Sequence, residues 1–115
     1  MDGIMYHHEL IESGRWESMS FADKMANIGS EVSRAARWSR KGNNEKKIEA
    51  LYRGLELIDA TVESVESPKK RELLRAREVL CDYFAGDNSY GSDCESLMRY
   101  FDIFAYKRSL EKNAG

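Results

Sequence analysis

Two histidines, two cysteines and one proline are all that the 115 residues hold of these types, and each scarcity closes a class of chemistry. His7 and His8 are neighbours, and adjacent side chains on a helix point about 100° apart, so they cannot grip one metal ion together. No Glu-x-x-His pair occurs, which removes the ligand set of a helical di-iron centre. No metal and no cofactor is expected. Cys81 and Cys94 are too few for a disulfide framework. The single proline, Pro68, argues against a chain of sheet turns, which use Pro freely. No apolar run approaches the roughly 20 residues needed to cross a bilayer. The N-terminal stretch MDGIMYHHELIESGRW lacks the apolar core of a secretory leader. The expectation is a reduced, cytoplasmic protein without membrane contact. A net charge of −2 supplies no overall attraction to nucleic acid, which is not expected as a partner.

What the chain does contain is charge and helical periodicity. Charged residues make up 33% and hydrophobic ones 42%, a balance that suits long amphipathic helices in one domain. The organising stretch runs from Ser20 to Lys41. Its apolar residues Phe21, Met25, Ile28, Val32 and Ala35 are spaced four, three, four, three, which is one face of a helix. A second stripe, Ala22, Ala26, Gly29, Ser33 and Ala36, is small enough for a neighbouring helix to approach closely. Ser20 is a good N-cap with Asp23 three residues on, and Gly42 can take the left-handed position after the last turn.

Three more helices are expected after it. Residues 44–66 carry Ile48, Leu51, Leu55, Ile58, Val62 and Val65 on one face, widened by Tyr52 and Leu57; Gly54 permits close packing or a bend. Residues 68–85 start at Ser67-Pro68, a cap followed by a first-turn proline, and present Leu73, Leu74, Leu80 and Phe84, interrupted by Arg77. Residues 93–111 open on a Ser92-x-x-Glu95 capping box. They carry a broad face of Leu97, Tyr100, Phe101 and Phe104. A second stripe of Ile103, Tyr106 and Leu110 covers the N-terminal segment or makes a contact with another protein or a second copy. Before these helices, residues 1–19 form an extension with a short helix around Tyr6, Leu10 and Ile11, followed by Trp16 and Met19 as apolar anchors. Residues 112–115 are a fraying tail. Short connections predict an all-α, antiparallel up-down-up-down four-helix bundle.

That topology acts on the charges. Residues 34–47 hold six Lys and Arg against Glu45 alone, and residues 82–95 hold four acids with no Lys or Arg. An up-and-down bundle brings the two segments to one end. Either Arg34 and Arg37 pair with Asp82 and Asp87 to fix the loop, or the end is a pocket. In the pocket, the two arginines are anion-binding forks, Trp38 or Tyr90 is an aromatic wall, and Asp82, Asp87 and Asn88 orient the ligand. Glu31, Arg77 and Glu78 extend it inward. Full pairing favours scaffolding, whereas two unpaired arginines favour binding.

Catalytic patterns fail one after another. No histidine lies beyond position 8, so the Arg-then-His pattern of HEPN-type ribonucleases is absent. Glu63-x-x-Glu66 lacks the downstream Glu-x-x-Asp of helical nucleotide pyrophosphohydrolases, since Glu78-x-x-Cys81 puts Asp82 one place late. There is no P-loop, dinucleotide glycine fingerprint or Gly-x-Ser-x-Gly. Cys81 falls among apolar neighbours, and Cys94 has no histidine partner to activate it. The segments SMSFADKMANIGSEVSRAARW, ALYRGLELIDATV and RELLRAREVLCDYFAGDNSYGS resemble a family of small helical proteins widespread in bacteria, with no established activity. That resemblance, over about residues 15–106, implies that the GDNSYG loop belongs to the design. The expectation is a non-catalytic helical binding protein. Its alternative is a small enzyme or sensor that binds a phosphorylated or nucleotide-like anion at the charged end.

Overall fold

Six helices follow one another along residues 7–114, the part of the chain that this computed structural model describes. They are α1 (His8–Glu12), α2 (Arg15–Ser18), α3 (Phe21–Arg40), α4 (Asn44–Val62), α5 (Lys69–Ala85) and α6 (Cys94–Ala114), with no strand among the described residues. The Cα radius of gyration is 14.1 Å, close to the roughly 13 Å of one domain of this length. Tyr6 lies outside the described residues. None of the helices is long and apolar enough to cross a membrane.

α3 is the axis of the molecule. It packs against α4 on one side and α6 on another, while α4 also carries α5. Two surfaces of α3 make this possible. Met25, Ile28, Val32 and Ala35 are buried in the core with Leu51, Leu57, Ile58, Leu73, Leu80 and Phe84. On the small stripe, Gly29 receives Phe101 of α6: a Cβ at Gly29 would meet the Phe101 Cβ at 2.7 Å. At Gly54 of α4 the fit is looser, with the Glu31 Cβ at an ordinary contact distance of 3.4 Å from where its own Cβ would be.

The helix ends are set by local hydrogen bonds. The Ser20 hydroxyl accepts from the Asp23 N–H at 3.0 Å and starts α3. At the other end Gly42 takes φ +74°. Its N–H donates to the Ser39 carbonyl, and the Asn43 N–H reaches back to the Trp38 carbonyl. These paired bonds close the last turn and fold the chain sharply into α4. Asn43 then caps α4 by accepting from the Lys46 N–H at 3.1 Å.

Three boundaries depart from the sequence reading. α4 stops at Val62, because the Thr61 carbonyl accepts both the N–H and the hydroxyl of Ser64, a tight turn that ends the ladder. At α5, Pro68 is the cap residue and Lys69 the first helical one, after a cis Ser67–Pro68 bond. α6 is capped by Asp93, whose carboxylate accepts from the Ser96 N–H at 2.8 Å. Ser92 is unavailable as a cap because Asn88 holds both its N–H and its carbonyl.

The N-terminal segment lies against α4. Trp16 is buried and its indole N–H donates to the Thr61 hydroxyl at 3.1 Å; that hydroxyl donates onward to the Leu57 carbonyl at 2.7 Å. Ile103, Tyr106 and Leu110 of α6 stay exposed.

Candidate functional site

α5 and α6 are consecutive in the chain, yet their backbones stand apart. A cleft of about 480 Å³ opens between them. Val79 and Leu80 of α5 and Leu97 and Phe101 of α6 form its apolar floor, and Glu72, Arg75, Asp93, Ser96 and Tyr100 form polar walls. Tyr90 and Gly91, from the connecting loop, close one end.

The loop is held from within. The two carboxylate oxygens of Asp82 accept from the N–H groups of Ser89 and Tyr90 at 2.8 and 3.0 Å. The Asp82 carbonyl accepts from Gly86 and Asn88. Asn88 sits in the left-handed region at φ +54°, which its short polar side chain tolerates. Its amide clamps Ser92 through bonds of 2.9 and 2.8 Å. These constraints set Tyr90 in place: the Arg75 guanidinium lies 5.5 Å from its ring centroid, and its hydroxyl donates to Glu78 at 3.2 Å.

Across the cleft, the Tyr100 hydroxyl donates to the Glu72 carboxylate. Burial, and then the neighbouring Glu72, push the Tyr100 phenol well above its ordinary range, so it remains a donor at neutral pH. The Ser96 N–H, followed by the Ser96 hydroxyl, holds the Asp93 carboxyl below its usual value. The walls therefore offer fixed carboxylates, a neutral phenol and one guanidinium already engaged by an aromatic ring. The Ser96 hydroxyl donates to the Asp93 carboxylate at 3.0 Å and accepts from Arg99 at 3.2 Å. Among the described residues no group of His, Cys, Asp and Glu is arranged to hold a metal ion.

The residues singled out from the sequence fall into four places. Asp82, Asn88 and Tyr90 build the loop at the end of the cleft. Asp87 follows Asp82 on that loop with no ion pair among the described residues. Glu31 and Arg34 belong elsewhere. Glu31 is buried at the α3–α4 contact and accepts from Arg34 and Arg53, each at 3.1 Å, and lies 3.3 Å from the His7 ring. Arg34 thus pairs with Glu31 and Asp82 with its own loop, so backbone N–H groups, not arginines, fix the 86–93 connection. Arg77 forks onto Asp59 at 2.8 and 3.3 Å, beside a second hollow of about 450 Å³ that also includes Tyr52 and Glu63.

Arg37 and Trp38 form the fourth place, at the C-terminal end of α3. Lys41 and Lys46 lie 5.2 and 4.5 Å from the Trp38 ring centroid, and Arg37 has no ion pair among the described residues. This end is within electrostatic reach of Tyr83 in the last turn of α5. Burial, then Cys94 and Asp93, push the Tyr83 hydroxyl up, while Arg40 pulls it down.

Sequence reasoning missed Glu72, Arg75, Ser96 and Tyr100. Nothing in one dimension pairs Glu72 with Tyr100, 28 positions away; the pairing depends on how far apart two helices are held. No family model, curated protein or solved structure matches this chain.

Proposed function

We propose that this protein is a non-catalytic helical binding protein that receives an amphipathic helix of a partner protein in the α5–α6 cleft. In this reading the four long helices form an antiparallel up-and-down bundle opened on one side. The chain is a cytoplasmic member of the small helical bacterial family it resembles. The observation that carries the proposal is the cleft itself, with its apolar floor between two helices whose backbones stand apart and which the Tyr100–Glu72 hydrogen bond spans. A cleft of this kind offers a seat to one more helix, which anchors apolar residues at i, i+3 or i+4, and i+7.

The wall charges indicate the partner's chemistry. Glu72 and Asp93 line the cleft and Glu78 lies at its end, whereas Arg75 is the one cation there and is stacked on Tyr90. A helix flanked by Lys and Arg is the complement. Ile103 lies seven residues beyond Ser96 and so within about 20° of it around α6. The exposed stripe of Ile103, Tyr106 and Leu110 thus continues from the lip of the cleft and lengthens the apolar surface.

The test is titration with a synthetic cationic amphipathic helix, followed by methyl NMR. Shifts should centre on Val79, Leu80 and Leu97. Ser96→Trp, which fills the cleft from an exposed position, should weaken binding at least tenfold with little loss of stability. Shifts confined to other surfaces, or full binding by Ser96→Trp, would remove the proposal.

A further inference from the structure

A second surface, independent of the cleft, lies at the turn between α3 and α4. Arg37, Arg40 and Lys41 come from the last turn of α3 and its cap, and Lys46 and Lys47 from the first turn of α4. None of the five has an ion pair among the described residues, whereas Arg34 just before them is paired with Glu31. The Asn43-to-Trp38 backbone bond folds the two groups together, so that ammonium groups from both helices flank one half-buried indole. Lys46 and Lys47 also stand at the N-terminal end of a helix, where the dipole opposes positive charge. Folding does not favour that placement, and an external anion would.

The overall charge of −2 hides this because the charges are segregated. The nearest acids are also partly committed, Asp82 to the N–H groups of its loop and Asp93 to the cap of α6. We infer that this face binds the phosphodiester backbone of a single-stranded nucleic acid, with Trp38 as the ring on which a base stacks. Unpaired cations grouped around an aromatic plane are the two components that sequence-tolerant strand binding requires. An acidic peptide or an anionic membrane would use the cations without the indole.

Fluorescence anisotropy with a labelled single strand of about 12 nucleotides tests the inference. Three phosphate contacts should make binding roughly 20-fold weaker at about 200 mM salt than at about 50 mM, from a slope of about −0.7 per contact. The double variant Arg37→Gln, Lys46→Gln should weaken binding and flatten that slope. Trp38→Leu, which removes the aromatic plane, should weaken binding while leaving the slope intact. Unchanged melting temperatures keep these substitutions interpretable. Absence of salt-dependent binding would overturn the inference. So would equal affinity for duplex, for polyglutamate or for phosphatidylserine vesicles, or indifference to Trp38→Leu.

Discussion

Gly29 and Phe101 meet with no room between them: a methyl group on the glycine would lie 2.7 Å from the phenylalanine Cβ. This contact, 72 positions apart in the chain, sets how closely α6 approaches α3. On helix propensity alone Gly29→Ala should stabilise by about 1 kcal/mol. The clash reverses the sign, since overpacking costs about 1–3 kcal/mol. A net loss of up to about 2 kcal/mol is expected in urea denaturation.

Gly54 provides the opposite case. A Cβ there meets the Glu31 Cβ at 3.4 Å, an ordinary contact distance. Gly54→Ala should therefore keep the propensity gain and raise stability by up to about 1 kcal/mol. A loss at Gly54 equal to that at Gly29 would show that the two contacts had been misjudged.

Thr61→Val should be more damaging than its size suggests. It removes the acceptor of the Trp16 indole N–H inside the core. A buried donor left without a partner costs about 1–3 kcal/mol. Trp16→Phe leaves Thr61 bonded to the Leu57 carbonyl and strands no donor, so its cost comes from lost packing alone. Chemical denaturation of both variants gives the comparison.

Glu31→Gln should cost about 2–3 kcal/mol, from the loss of charge-assisted bonds to Arg34 and Arg53. The larger penalty of a broken, fully buried pair does not apply, because the Arg34 side chain is 50% exposed and can return to water. Thermal and urea unfolding should agree on the loss.

Alkaline pH should weaken the fold through Tyr100. Its folded-state pKa is raised, so the native protein favours the protonated phenol. The stabilisation is complete below the ordinary tyrosine value of about 10 and is lost as pH rises toward the folded value. Tyr83 acts in the same direction. Melting temperatures measured from pH 8 upward should fall less steeply for Tyr100→Phe than for the unaltered protein. Asp93 has the reverse sign, its contribution being lost as pH falls through its depressed value.

Much of the core was legible. Ile28 and Ile58, identified from the three-four spacing alone, are fully buried. Leu74 and Tyr52 lie close to the same faces yet are exposed, because a face gives a direction and not the width of the partner that covers it. The candidate site was legible only in its loop. Asp82, Asn88 and Tyr90 act within nine residues of one another, so local reasoning could reach them. The role found for Asp82 is different from the one expected: it binds backbone N–H groups, which no residue pattern displays.

The amino-acid sequence by itself determined an all-helical chain, the helix carrying Ser20 as its cap, the left-handed Gly42 and most of the buried face of α3, because each depends on neighbours within about two turns. The tertiary structure alone decided that Asp93 and not Ser92 caps α6, that Arg34 turns to Glu31, and that α5 and α6 part to leave a cleft. The first two turn on bonds that reach only three or four residues, and the third on contacts far apart in sequence. They are settled by how closely Gly29 and Gly54 let the helices approach and by which polar groups the packing then leaves within reach.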